Sequence, residues 1–214
     1  MSLIVAKETL VYIVPLPMIF IVLMYLNKAK KQTNILFIVA VFSSLISKLL
    51  ALSNFNYFFK WIVVFTTLYL IILALLLRKY LKKSKLKSFL KPHVLISFIL
   101  LVYIFYTILN VLKASISIDR LFFSLACAVS LIVFMVTMSV IYINDIYNKR
   151  VTLLISGILI FCGIALSNIN EFVYFKNSIT MLILLSNFMG LYLFMHFILN
   201  TKVLKDNEIV EKFI

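Results

Sequence analysis

The feature that most constrains this chain is a series of long, nearly uncharged apolar runs along its whole length. A helix that crosses the roughly 30 Å hydrocarbon core of a bilayer needs about 20 apolar residues, and only helices or closed barrels satisfy their backbone groups there. No run alternates with the period of two that barrel strands show. The sequence therefore predicts an all-α, polytopic membrane bundle with seven transmembrane helices, at about residues 9–26, 35–53, 56–77, 93–112, 121–143, 151–167 and 178–199.

The composition excludes other classes of chain. Hydrophobic residues make up 64% of the sequence and charged residues 13%, whereas soluble domains are about half apolar and a quarter charged. The high hydropathy also excludes a disordered chain. Because no linker or change in composition divides the sequence, we predict a single transmembrane domain over residues 1–214.

The charge balance indicates how the chain is oriented. Twenty-one Lys and Arg against seven Asp and Glu give a net charge of +14, which in a soluble protein would favour nucleic acid as a partner. If the N-terminus lies outside, fifteen of the 21 cations fall in cytoplasmic segments, namely 28–31, 78–91, 149–150 and 202–212. Because Lys and Arg are retained on the cytoplasmic side, the N-terminus is predicted outside and the C-terminus inside.

The segment 78–92 is the one substantial loop between the predicted spans, and it carries seven cations interleaved with apolar side chains. Each basic residue near anionic lipid headgroups contributes on the order of 1 kcal/mol. We therefore expect this loop to lie on the inner membrane surface with membrane lipids as partners, and we predict no nucleic-acid partner. The abundance of Lys, Asn, Ile and Phe favours a bacterial chain, and hence a bacterial cytoplasmic (inner) membrane.

Polar side chains inside a span usually face a cavity or a bundle interior, so they are the best indicators of a site. In the second predicted span Ser43, Ser44, Ser47 and Lys48 form such a group. The ammonium of Lys48 is expected about 7 to 8 Å below the outer end of its helix. It could extend to the outer interface, or it could face a cavity and pair with an anion.

The sixth and seventh spans carry the other candidates. Glu171 is the acidic group closest in depth to Lys48, and it either pairs with Lys48 or lies exposed in a wet loop. In the last span Gly190 would allow close helix contact, and Asn187 could hydrogen-bond across an interface. The predicted cavity residues are Ser44, Ser47, Lys48, Asn168, Glu171, Asn187 and Tyr192.

Several chemistries have no motif in this sequence. HExxH, GxSxG and a phosphate-binding glycine loop are all missing, and no aspartate lies inside a predicted span. His196 has no second histidine at the spacing of metal ligands. We therefore predict no metal site and no cofactor, and the sequence assigns no catalytic residue.

Three segments carry a resemblance to a known family. The first part of the pattern is the apolar segment YIVPLPMIFIVLMYL (12–26), which is followed by NKAKKQTN and then by the segment FIVAVFSSLISKLLAL (37–52). The later part is the segment GILIFCGIALSNINEFVYF (157–175), which precedes a span containing Gly190 and Tyr192. This layout resembles the lysoplasmalogenase-like, or YhhN-like, family of integral membrane proteins. The resemblance implies a substrate class, the lysoplasmalogens, whose vinyl-ether bond the family hydrolyses.

The same resemblance implies two catalytic membrane aspartates, and both are absent here. The family's Gly-Asp pair falls on Ser47 and Lys48, and the place of its Ser-Asp pair is held by about 163–165. General acid-base catalysis needs a titratable group at the scissile bond, and lysine does not replace a carboxylate. We therefore expect a diverged member with altered or lost hydrolase activity, which binds a lipid or lysolipid whose phosphate suits Lys48.

Two other classes stay open as alternatives. A small-solute transporter or transporter subunit would need a polar cavity near the midplane, for which the spans supply few polar side chains. A membrane assembly partner without catalytic activity would need no cavity. The lipid-binding hypothesis predicts that Lys48, Asn168, Glu171, Asn187 and Tyr192 converge on one cavity.

Overall fold

A computed structural model describes residues 7–29, 33–81, 103, 106, 107, 110, 118–144, 146–172 and 175–203. In this part of the chain every regular element is a helix, which confirms the all-α prediction. The helices are α1 (Lys7–Ile13), α2 (Pro15–Ala29), α3 (Ile35–Arg78), α4 (Ile118–Ile143), α5 (Arg150–Phe172) and α6 (Asn177–Asn200).

Five helical stretches among the described residues are long and apolar enough to cross a membrane, which is compatible with an integral membrane protein. They are Thr9–Ala29, Ile35–Arg78, Arg120–Ile143, Arg150–Phe172 and Asn177–Asn200. The predicted span at 93–112 and most of the basic loop at 78–92 lie outside the described residues. The count of seven spans and the orientation therefore stay predictions.

The first predicted span is interrupted near its start, where α1 gives way to α2 at Val14. Pro15 occupies the first position of α2, where its fixed φ and missing N–H are tolerated. The N–H of Val14 still donates to the carbonyl oxygen of Leu10 at 2.9 Å, so the two helices stay connected as one kinked span.

Helix α3 folds back on itself at Asn54. A straight helix of its 44 residues would measure about 66 Å, twice the thickness of the hydrocarbon core. Asn54 instead adopts an extended backbone (φ −159°, ψ 96°), and its side chain accepts a hydrogen bond from the N–H of Tyr57 at 3.0 Å. Ser47 donates to the carbonyl oxygen of Ile62 at 3.2 Å, so the two arms, 35–53 and 55–78, lie side by side.

Helices α5 and α6 form a close pair through small residues. Ser156 Oγ donates to the carbonyl oxygen of Gly190 at 2.7 Å, inside the bundle. A Cβ atom on Gly190 would lie 2.8 Å from Ile160 Cγ1 and 3.0 Å from the Ser156 carbonyl oxygen. Without a side chain at this position the two backbones can approach, as small residues allow in membrane bundles. The structure confirms the predicted role of Gly190.

The bundle has two ends, which we name after a residue at each. At the Asn54 end, the guanidinium of Arg120 donates to the Asn56 carbonyl oxygen at 3.1 Å, and the Phe55 ring lies 5.2 Å from that of Phe172. At the Tyr80 end, the Tyr80 ring contacts the rings of Tyr147 and Phe197. Large buried side chains such as Phe134 and Phe194 fill the space between the ends.

The helices differ from the predicted spans mainly in length. Helix α5 continues to Phe172, five residues beyond the predicted end at 167. The polar residues at 167–171 resemble a loop, but they form further turns of helix. Asn168, for example, donates from its side chain to the Ile164 carbonyl oxygen of its own helix at 3.2 Å.

Candidate functional site

A cavity of about 110 Å³ lies between the two arms of α3 and helices α5 and α6. A volume of this size holds several water molecules. It occupies the half of the bundle nearer to the Asn54 end. The polar side chains that line it are Ser44, Ser47, Lys48, Thr66, Tyr69, Ser167, Asn168, Asn170, Glu171, Thr180 and Asn187.

Six of the seven predicted cavity residues line this one space. Ser44, Ser47 and Lys48 come from the first arm of α3, Asn168 and Glu171 from α5, and Asn187 from α6.

The seventh predicted residue, Tyr192, does not line the cavity and packs instead against the main hydrophobic core. It follows Asn187 by five residues, which at about 100° per residue turns it roughly 140° away around α6.

Lys48 directs its ammonium toward the middle of the bundle. Nζ donates to Ser44 Oγ at 2.7 Å, and Ser44 is the central residue of the arm 35–53. Helical side chains lean toward the N-terminus of their helix, which here is away from the Asn54 end. The position of the ammonium therefore favours the alternative in which Lys48 faces the cavity.

The contacts of Lys48 leave its charge only partly compensated. A lysine at the centre of a span costs about 2.5 to 3.5 kcal/mol. The described contacts of the ammonium are the Ser44 hydroxyl and the Tyr69 ring, whose centroid lies 6.0 Å from Nζ. Glu171 lines the same cavity, and its pairing with Lys48 stays a prediction. The cavity therefore contains one ammonium and one carboxylate.

Ser47 and Thr66 hold the two arms of α3 together along one wall of the cavity. Their hydroxyl oxygens are 2.7 Å apart, and both lie within hydrogen-bond distance of the Ile62 carbonyl oxygen. Hydrogen bonds between spans contribute about 0.6 kcal/mol each. Ser47 therefore has a positioning role in the hairpin as well as a place on the cavity wall.

Asn170 closes the cavity toward the Asn54 end. It is buried, its Nδ2 donates to Thr180 Oγ1 at 3.0 Å, and its Oδ1 accepts from the backbone N–H of Lys176 at 3.0 Å. These bonds hold the start of α6 against the end of α5. They also fix the backbone from which the neighbouring Glu171 side chain reaches the cavity.

Asn187 approaches α5 at a glycine. A Cβ atom on Gly163 would lie 2.8 Å from Asn187 Cγ, so the amide fits only because that side chain is missing. The side chain of Asn187 donates to the Ile183 carbonyl oxygen of its own helix at 2.8 Å, rather than across the interface as expected. Its contribution to the α5–α6 contact is therefore close packing.

Several lining residues are not among the predicted cavity residues. Thr66 and Tyr69 belong to an almost wholly apolar span, and their spacing of three residues, which puts them on one helix face, was the available signal. Asn170 lies beyond the predicted end of the sixth span at 167, and Thr180 lies near the start of the predicted span 178–199. Cys127 lines the cavity from α4, whereas Cys162 does not.

No group of three or more His, Cys, Asp or Glu side chains that could hold a metal ion occurs within the described ranges. The polar lining consists mainly of hydroxyls and amides around one ammonium and one carboxylate. Such a set can bind a charged or zwitterionic headgroup by hydrogen bonds. No protein-family model, curated protein or solved structure matches the chain.

Proposed function

We propose that this chain is a diverged lysoplasmalogenase-like membrane protein that binds the headgroup of a lysophospholipid in its cavity. In this proposal seven helices cross a bacterial inner membrane, with the N-terminus outside and the C-terminus in the cytoplasm. The observation that carries the proposal is the position of the Lys48 ammonium, which faces the cavity at the level of the central residue of its arm.

The lining suits the two parts of such a ligand. Lys48 offers a charge-assisted hydrogen bond to a phosphate oxygen, and such bonds are about twice as strong as those between neutral groups. Leu52, Phe55 and Val63 supply apolar surface in the same cavity, next to which an acyl chain can pack. A lysophospholipid combines one anionic headgroup with one such chain.

The family resemblance supports the same location. Lys48 stands where the family has the aspartate of its Gly-Asp pair, and Gly163 and Ile164 belong to the stretch that replaces its Ser-Asp pair. All three residues line the one cavity. Two segments more than a hundred residues apart thus bring the corresponding positions together, as a shared substrate site requires.

The lining also supports altered or lost hydrolysis. Among the described residues Glu171 is the one carboxylate at the cavity, whereas the family chemistry uses two aspartates. If the purified chain hydrolyses lysoplasmalogen and Glu171→Gln abolishes turnover, the protein is an enzyme with a rearranged site. We expect no such turnover.

Native mass spectrometry of the protein purified from its membrane tests the proposal. We expect a single-chain lipid that contains phosphate to remain bound to the wild type and to be lost from Lys48→Met. Lys176→Met is the matched control, because it removes an exposed charge at the same end outside the cavity. Equal lipid retention in all three proteins, or none in any, would favour a transporter or an assembly partner.

A small-solute transporter is the second candidate, and the polar lining that reaches the level of Ser44 favours it. Thiol labelling of Cys127 distinguishes the two candidate functions, because Cys127 lines the cavity. The other cysteine, Cys162, is first replaced by serine so that only Cys127 can react. A lipid site opening to the outer leaflet predicts that a membrane-impermeant thiol reagent labels Cys127 from the outside only. A transporter that exposes its cavity alternately predicts labelling from both sides, which would overturn the lipid site.

A further inference from the structure

The Tyr80 end of the bundle contains a second group of buried polar residues, far from the cavity. The hydroxyl of Tyr80 donates to the Thr201 carbonyl oxygen at 3.2 Å. The Tyr80 ring lies 5.4 Å from the ring of Tyr147 and 5.1 Å from that of Phe197. These contacts bring together the end of α3, the loop before α5 and the end of α6.

Three polar atoms in this group are buried without a hydrogen-bond partner among the residues that the structure describes. They are the hydroxyl oxygen of Tyr147, Nδ1 of His196 and Oγ1 of Thr201. Tyr147 is only 4% exposed. Buried polar atoms are nearly always satisfied in native proteins, so three such atoms at one end of the bundle indicate a missing partner.

The side chains that the structure describes around this group are hydrogen-bond donors and positive charges. Lys28 lies in the last turn of α2 and Lys149 directly before the start of α5, both at this end of the bundle. Burial raises the pKa of Tyr147, so its hydroxyl stays protonated and able to donate. Glu171, the one acidic side chain that the structure describes, belongs to the opposite end of the bundle.

We propose that Tyr147, His196 and Thr201, together with Lys28 and Lys149, bind a phosphate group at the Tyr80 end. Phosphate oxygens accept hydrogen bonds from hydroxyls and ammonium groups, which this set supplies. Basic pockets between transmembrane helices are known to bind the headgroups of anionic lipids. The phosphate can belong to a lipid headgroup or to a free ion, and the site is independent of the ligand proposed for the cavity.

Binding by the full-length protein in a phosphate-free maltoside detergent tests this site. The first measurement uses native mass spectrometry to compare the retention of phosphatidylglycerol with that of a phosphate-free glycolipid, diglucosyldiacylglycerol. The second measurement compares the thermal stabilisation of the protein by inorganic phosphate with that by chloride. The variants are Tyr147→Phe, which keeps the ring that packs on Tyr80, and Lys149→Gln. Lys202→Gln is the control, because Lys202 is an exposed cation at the same end.

We expect Tyr147→Phe and Lys149→Gln each to weaken phosphate-dependent binding about tenfold, and the control to leave it unchanged. If the variants lose only the retention of phosphatidylglycerol, the site binds a lipid headgroup. If they also lose the stabilisation by inorganic phosphate, the site binds phosphate itself. If Tyr147→Phe does not fold, Lys149→Gln decides the question. The proposal would be overturned if both variants bound like the wild type, or if the control lost as much binding as they do. It would also be overturned if neither measurement showed a preference for phosphate.

Discussion

Lys48→Met is expected to weaken lysophospholipid binding by about 10- to 100-fold and to stabilise the empty protein. The loss of affinity reflects one hydrogen bond between the ammonium and a phosphate, a bond of about 1.5 to 3 kcal/mol. The gain in stability reflects removal of a charge that costs about 2.5 to 3.5 kcal/mol near the centre of a span. Because the Ser44 hydroxyl and the Tyr69 ring offset part of that cost, we expect a net stabilisation of about 1 to 2 kcal/mol.

Equilibrium binding of a fluorescent lysophospholipid and unfolding in a denaturing detergent measure the two effects, with Lys176→Met as the control. A loss of stability in Lys48→Met, the opposite of the expected change, would have a specific cause. Breaking a buried ion pair destabilises a protein by about 3 to 5 kcal/mol. A destabilised Lys48→Met would therefore establish that Glu171 pairs with Lys48, and that the cavity carries its own counter-ion in place of a ligand.

Gly190→Leu is expected to separate α5 from α6 and to destabilise the bundle by about 3 kcal/mol or more. The new side chain would overlap Ile160 and the Ser156 carbonyl oxygen, which is backbone and cannot rotate away. Separation of the helices would also break the hydrogen bond from Ser156 to the Gly190 carbonyl oxygen. We expect a large loss of folded protein after extraction, measured as a lower unfolding midpoint.

Gly157→Ala is the matched control for this prediction. A Cβ atom on Gly157 would meet the thioether end of Met138, a flexible side chain that can adjust. Alanine also improves helix propensity by about 1 kcal/mol, so this variant should be close to wild type in stability. Gly190→Ala should lie between the two glycine variants. Wild-type stability in Gly190→Leu would mean that α5 and α6 do not approach closely at this position.

The apolar runs predicted the helices well because a membrane span needs a long continuous apolar stretch, which is a local property of sequence. The arms 35–53 and 55–78 match two of the predicted spans, and the polar Asn54 between them marks the turn. The predicted end of the sixth span at 167 is five residues too early, because the polar residues at 167–171 resemble a loop. Their side chains lie at the cavity, where polar residues are compatible with a continuous helix.

Much of the site was predictable for a related reason. Polar side chains are costly in a span unless they face one another or a cavity, so Lys48, Asn168 and Asn187 could be expected to converge. Cys127 could not be found in this way. It belongs to α4, a largely apolar span, and its position at the cavity depends on how the α3 hairpin packs against α4 and α5, which is a property of distant contacts.

The central claim is that the Lys48 ammonium binds the phosphate of a lipid in the cavity. Solid-state NMR on protein with ¹⁵N-labelled lysine, loaded with lysophospholipid, measures it directly through the dipolar coupling between lysine nitrogen and ligand phosphorus. We predict a strong coupling for one lysine, at the separation of a direct hydrogen bond, that disappears in Lys48→Met and persists in Lys176→Met. Bound lysophospholipid whose phosphorus couples to no lysine, or whose coupling survives Lys48→Met, would contradict the claim.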